Sequence, residues 1–493
     1  MTKIFITLFL CASTLFAQQK QWVYFSPSTP LTKGIELIKK QPIRKSNWLN
    51  AATFDLTSDE KKELLGLPYI SKITTVKKLE PLKTNSQNTS YSKQLEQLNT
   101  SILAKKGYTG KGISIGIIDA GFKEADSSPY FKNIFSANHI KATKDFVNPE
   151  SINFYEEKTD ADDHGTKVWK RIAGTENDSM FYGLAKDASF YLARTEIGDK
   201  EIRLEEDYWI EALEWMESKG VKLINSSLGY ANKFDSTADN HLRTEMDGET
   251  TAISKAAQYA AEEKGMLIIV SAGNLGSKKW GIISAPADAP DVLTVGATSL
   301  APWTKMGYSS TGPSYNKFLK PDVASYSTSG TSFSAPIITG LAACLWQANP
   351  KLSNKQLKKI IEQSSHLYPY GNNYIGYGVP NANRAIEIIN KQIPNLSNRP
   401  KLMAKDRGKV KFFIKPTEEV SVALFQKSDK YMVIKQSSIL LEKKQKSGSD
   451  LKNHIKVKRG KDKVTIRLSN KSPYVQFSSL VVNNRLFEIE WRN

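Results

Sequence analysis

Cysteine is nearly missing from this chain: its 493 residues contain two. Cys11 lies inside an N-terminal leader, so once that is removed Cys344 stands alone and no disulfide can form within the mature chain. Cys344 belongs to an apolar helical pattern and reads as a buried core thiol. After the leader no apolar run is long enough to cross a bilayer. No acidic stretch has the loop spacing of a calcium site, and Asp235, Asp239 and Asp247 read as a solvated loop. The basic charge comes without the aromatic pattern of a base-stacking platform, which argues against nucleic acid as a partner. Aromatic content is ordinary at 10%, so nothing points to global disorder.

What is present begins with Met1 to Ala17, where Lys3 precedes the apolar run Ile4 to Leu10 and small residues lead up to Gln18. This is the pattern of a secretory signal peptide, with the cut expected after Ala17. Leu10 stands where lipoprotein signals carry a small residue, so Cys11 is not read as a lipid anchor. Residues 18–90 form a small unit of mixed polarity. Within it Thr57-Ser58-Asp59-Glu60 offers a helix cap with acids in the first turn, and Leu67 to Val76 alternates like a strand. Asn85 to Ser92 is polar, the place where a protease would cut.

From 91 to 392 strand and helix patterns alternate. Strands are expected at Ile113 to Ile118, Ser189 to Ala193, Leu223 to Ser226, Leu267 to Val270 and Val292 to Val295. Helical stretches run from Glu205 to Lys219 and from Thr251 to Lys264. Strands apolar on both faces, each followed by a helix, imply an α/β fold with a doubly wound, mostly parallel sheet. Ligands of such sheets bind beyond the carboxyl ends of the strands, where Asp119 and Asn274 both fall.

Gly330-Thr331-Ser332-Phe333-Ser334-Ala335-Pro336 sets a small-residue turn against an apolar helix that presents Ile337, Ile338, Leu341 and Leu345 on one face. A hydroxyl at such a helix start lies beside unpaired N–H groups and the positive end of the dipole, a suitable place to attack a carbonyl. Serine needs a base, and the base an orienting acid. His164, in Asp162-Asp163-His164-Gly165-Thr166, and Asp119, in Asp119-Ala120-Gly121, supply both. Asp162 and Asp163 read as caps of the His164 helix. Taken singly, a strand-end Asp, a lone His and a Thr-Ser turn each have a plainer structural explanation; together and in this order they define a catalytic set.

These motifs resemble those of the subtilisin-like serine proteases, the subtilases, in the family's own order of Asp, His, Ser. Ser271-Ala272-Gly273-Asn274 resembles the segment that carries the family's oxyanion-hole asparagine, and Lys320-Pro321-Asp322-Val323 precedes the serine motif as in the family. The resemblance implies catalytic roles for Asp119, His164, Ser332 and Asn274. It also implies substrate binding by Ser227, Leu228 and Gly229 opposite Ala272 and Gly273. It gives residues 18–90 the character of an α+β propeptide, whose plainer alternative is an accessory domain that stays attached. Three departures stand out: Ala120 where a Ser or Thr is usual, Lys167 where the family has a second His, and a short Val323 to Ser329 segment. No cofactor is required by this reading; the family's structural calcium has no assignable ligands here.

Residues 393–493 shift in composition, with about 23 Lys and Arg against about 9 Asp and Glu from Arg399 onward, out of a whole-chain charge of +19. Alternation at Val420 to Phe425, Tyr431 to Ile434, His454 to Lys458 and Val464 to Leu468 predicts an antiparallel β domain, with Arg459-Gly460-Lys461 turning a hairpin. It either caps the catalytic body or docks to an anionic cell-surface polymer. The expected protein is an exported serine endopeptidase, periplasmic, surface-held or extracellular, acting on polypeptides and on its own propeptide. The alternative is a catalytically inert subtilase-like binding protein.

Overall fold

The computed structural model describes residues 19–42, 44–46, 50–75, 90–151, 160–177, 179–313, 316–391, 402–450 and 455–492. The leader, most of the expected cleavage stretch (85–89) and His454 lie outside them. The chain divides into two compact units, Met1–Gln87 and Asn88–Asn493.

The first unit is α+β. An antiparallel sheet in the order Arg44–Ser46, Ala51–Leu56, Gln19–Phe25, Ile70–Thr75 carries the helices Leu31–Ile38 and Ser58–Leu65. Val23, Phe25, Phe54 and Leu56 form its own core. The cap at Thr57 is reciprocal: its hydroxyl accepts from Glu60 N–H, and the Glu60 carboxylate accepts from Thr57 N–H.

The second unit is built on seven strands: β1 Ser114–Asp119, β2 Ile140–Asp145, β3 Ser189–Arg194, β4 Leu223–Ser226, β5 Leu267–Ser271, β6 Leu293–Thr298 and β7 Val323–Tyr326. All pair in parallel, in the order β7-β6-β5-β4-β1-β3-β2. The helices α1 His164–Ala173 and α4 Ala335–Ala348 pack on one face with Ile115 and Ile117, while α2 Leu204–Ser218 and α3 Ala252–Glu262 pack on the other with Ile118 and Ile224. β4 and β5 are buried throughout, as a doubly covered sheet requires. One expectation needs correcting: α4 does not bury a single stripe, because every residue from Ala335 to Leu345 is buried. The sheet lies under it, and α1 and the helices Asn354–Ser364 and Ala382–Ile389 surround it, so a helix buried on every side fits.

The C-terminal strands are β8 Leu402–Asp406, β9 Gly408–Ile414, β10 Val420–Lys427, β11 Val433–Leu441, β12 Ser447–Asp450, β13 Ile455–Arg459, β14 Val464–Asn470, β15 Phe477–Val482 and β16 Arg485–Arg492. They form two sheets, β8-β16-β15-β10-β11 and β9-β14-β13-β12, which enclose a core containing Val422, Leu424, Ile466 and Leu480. Pairing is antiparallel except for β8 on β16. The other side of the first sheet shares a second core with the catalytic body, in which Phe425, Val433, Val481 and Leu486 meet Ala324, Leu367 and Ile375.

Candidate active site

β1 ends on Asp119, which is 0% exposed. Its Oδ1 accepts from Ala120 N–H at 2.9 Å and lies 2.5 Å from His164 Nδ1. Its Oδ2 has no hydrogen-bond partner among the described residues. Gly165 lets the two elements approach this closely, since a Cβ there would stand 2.3 Å from Gly121 O. Burial works to lower the His164 pKa, but the facing Asp119 charge and hydrogen bond, with Asp163 adding, outweigh it and leave the imidazole above its ordinary 6.5.

Asp163 and Asp162 are not caps. Asp163 occupies the N-cap position without a side-chain cap bond and pairs with Lys167 at 2.6 Å, so the lysine that replaces the usual second histidine captures it. Asp162, buried, lies 3.6 Å from Arg194 Nε. Arg194 also donates to Ala120 O at 3.2 Å and to Asp145 Oδ2 at 3.0 Å, tying three loop starts together beneath the Asp119–His164 pair.

Ser332 stands in the turn Thr331–Phe333 ahead of α4. Its Oγ donates to Ser227 O at 3.1 Å, and Ser227 Oγ donates back to Ser332 O at 3.0 Å. His164 and Ser332 face one cleft of about 400 Å³, and the Phe333 ring lies 5.6 Å from the imidazole; the serine hydroxyl is engaged by Ser227 rather than by the histidine. Asn274 is exposed in the same cleft. Its Oδ1 accepts from Thr331 N–H at 2.9 Å and from Thr331 Oγ1 at 3.0 Å, which fixes the amide with Nδ2 as the free donor end.

Of the expected substrate-binding residues, Ser227, Leu228, Gly229 and Gly273 line the cleft. Leu228 and Gly229 have no backbone hydrogen-bond partner among the described residues, as an edge that pairs with an extended peptide requires. Ala272 packs its methyl in the core and gives its N–H to Val295 O. Gly273 gives its N–H to Thr331 Oγ1 and receives Ser310 N–H at its carbonyl. Sequence reasoning missed the acids on the opposite wall, Glu196, Glu201 and Glu205. Burial first, then Glu205 and Asp235, push Glu201 up to about 7 against the pull of Lys233. Burial and Glu205 raise Glu196 well above the carboxylate range even though Tyr230 donates to it at 2.7 Å. Burial raises Glu205 against N–H donation from Ile197 and Ile202. The strand-end rule that found Asp119 would have found Glu196, two residues past the end of β3. Among the described residues no group of three or more His, Cys, Asp or Glu is placed to hold a metal.

A serine beside a helix start, a buried Asp at a strand end bonded to a His at a second helix start, and an amide donor on a shared cleft define the class of α/β serine hydrolases. A sequence profile described as the subtilase family matches residues 110–378, and the chain belongs to that family. It is similar to subtilisin E of Bacillus subtilis (strain 168), 27% identical over 350 residues that cover 69% of this chain and 81% of the relative. Subtilisin of Bacillus pumilus is 27% identical over 303 residues, 59% of this chain and 98% of the relative. Among solved structures, MycP1 from the ESX-1 type VII secretion system is 23% identical with a TM-score of 0.46, over 60% of this chain and 86% of that one. The chain is a serine endopeptidase.

Proposed function

We propose that the chain is made as an exported precursor and cleaves polypeptides by an Asp119-His164-Ser332 triad through an acyl-enzyme. The 2.5 Å bond between buried Asp119 and His164 Nδ1 is the observation that carries this reading. It leaves Nε2 as the base for Ser332. Ser332 Oγ leaves Ser227 O, gives its proton to Nε2 and attacks the scissile carbonyl. Asn274 Nδ2 and the Ser332 N–H receive the developing oxyanion, and the imidazolium then protonates the leaving amine. The substrate strand lies along Leu228 and Gly229.

The first unit serves as the propeptide. Cleavage falls before Ser90, because Ser90–Tyr91 pairs with Met180–Phe181 and Gln94 Nε2 donates to Phe333 O at 2.7 Å, making this stretch part of the catalytic body. Reaction with a fluorophosphonate followed by peptide mapping tests the chemistry: an adduct on Ser332 is expected, and an intact, folded chain that takes up no probe returns the inert alternative. A Ser332→Ala precursor that still loses its first unit in pure form would refute self-cleavage.

A further inference from the structure

The strands β9, β14, β13 and β12 expose one face and bury the other. The inward set, including Phe412, Val457, Ile466 and Leu468, fills the core shared with the first C-terminal sheet. That sheet uses its own far side against the catalytic body. The outward set therefore faces away from the catalytic body. It contains Lys409, Lys411, Lys456, Lys458 and Arg467, all exposed, with Ser, Thr and one exposed aromatic, Phe413. No Asp or Glu stands at an outward position of these four strands. None of the five cations has an ion-pair partner among the described residues.

Register sharpens the pattern. Lys411 lies opposite Arg467, and Arg467 opposite Lys456, so three cations form one row across three strands. Phe413, Thr465 and Lys458 form the next row. Like charges directly opposite destabilise a sheet, so folding alone gives no reason for the first row. Edge protection by lysine accounts for Lys409 and Lys411 on edge strand β9, but Arg467, Lys456 and Lys458 are on the interior strands β14 and β13. The grid repeats at about 4.8 Å across strands and about 7 Å along them, within reach of successive charges on an extended chain.

We infer that this face binds a linear acidic polysaccharide, its carboxylates lying along the row Lys411, Arg467, Lys456. A single-stranded nucleic acid fits less well, since it needs several stacking aromatics and Phe413 is the one exposed ring on the face. The inference rests on the sandwich and not on the peptidase reading.

The test uses the full chain carrying Ser332→Ala, which removes autolysis, and sodium polygalacturonate as probe. Five contacts at ~0.7 released counterion each predict a slope of about −3 to −4 for log K against log salt. K411Q/R467Q/K456Q is expected to weaken binding at least tenfold. K105Q/K106Q/K111Q, which removes the same charge from exposed positions of the catalytic unit, is expected to weaken it less than twofold. In the chain with Ser332 restored, the first triple variant hydrolyses a small peptide as the parent does. Equal weakening by both variants would reduce the effect to net charge. That outcome, no binding by the parent chain, or tighter binding of an oligonucleotide or of phosphatidylglycerol vesicles would overturn the inference.

Discussion

Asn274→Ala separates transition-state chemistry from folding, because the two effects differ in size. The Asn274 amide makes two bonds through Oδ1, both to Thr331, and keeps Nδ2 for the cleft. Removing an oxyanion donor of this kind costs ~10²–10³ in kcat, or about 2.7–4 kcal/mol, a range established on subtilisin itself and adopted for this relative. The loss of the Thr331 contacts would cost at most about 1–3 kcal/mol of stability if the N–H were left unpaired. Thr331 is itself buried, but Asn274 is exposed, so solvent can fill the space its amide vacates and pair with that N–H, and the structural cost falls to the low end. The expected result is a kcat lowered ~10²–10³-fold with KM within a factor of about three, because the donor acts on charge that exists only in the transition state. Fluorophosphonate titration of active sites in the same samples shows that the fold and nucleophile survive. Asn274→Asp sharpens the assay: its carboxylate still accepts from Thr331 but repels an oxyanion, so it should be at least as slow as the alanine variant. A kcat within tenfold of the parent in Asn274→Ala, or a loss carried wholly by KM, would remove Asn274 from the chemistry.

Four further outcomes can be measured. His164 must be neutral to accept a proton and its pKa is raised, so kcat/KM should fall as pH drops through a value above 6.5; Asp119→Asn should lower kcat about 10⁴-fold, and a profile with its acid limb below 6 would contradict the Asp119 contact. Glu201, at about 7, is ionised above and neutral below that pH. The ratio of kcat/KM for a lysine-bearing peptide to that for its neutral analogue, in which His164 cancels, should therefore fall as pH drops through about 7 and flatten in Glu201→Gln. Lys427 and Glu488 form a 2.7 Å pair with both side chains 1% exposed; Lys427→Met leaves the buried carboxylate without a counter-charge, held among the described residues only by Ser479 Oγ, and should cost ~3–5 kcal/mol in urea unfolding of the Ser332→Ala chain, more than Lys427→Met with Glu488→Leu.

The parts legible in the sequence were those whose local pattern and buried environment agree. Leu223–Ser226 is buried on both faces, and its expected ends are the observed ones. Ile140–Asp145 went unread because it is an edge strand whose exposed lysines, Lys141 and Lys144, stand three residues apart and break the two-residue alternation of a strand. Asp163 looked like a cap, and only geometry shows that Lys167, one turn on, takes its carboxylate. The three cleft glutamates are spread from 196 to 205 and only Glu205 falls in the expected helical stretch; the crossover from β3 to α2 brings them together. Buried Lys320 and Lys427 defeat any rule that places charge outside, because their partners Asp322 and Glu488 are identifiable only in three dimensions.

The strand ends and the helix starts contribute differently to the site. Arg194, Asp119, Ser227 and Asn274 come from the ends of β3, β1, β4 and β5, which are consecutive in the sheet, so backbone pairing fixes their spacing. His164 instead begins α1 and Ser332 stands in the turn that leads into α4, and the separation of these helices is set by side-chain packing in the core that holds Val168, Ile172, Ile338 and Leu341. Gly340 marks the tightest requirement on that packing, since a Cβ there would stand 2.9 Å from the Ile172 carbonyl, which is backbone and cannot swing away. Gly340→Ala must therefore move one helix by a few tenths of an ångström, displacing the serine relative to the imidazole while leaving Asp119, Asn274 and the substrate strand in place. Displacements toward 1 Å cost ~10²-fold in rate. Gly340→Ala should thus lower kcat several-fold to tenfold and leave KM nearly unchanged. A change in KM alone would mean that the sheet, and not the contact between α1 and α4, sets the distance from base to nucleophile.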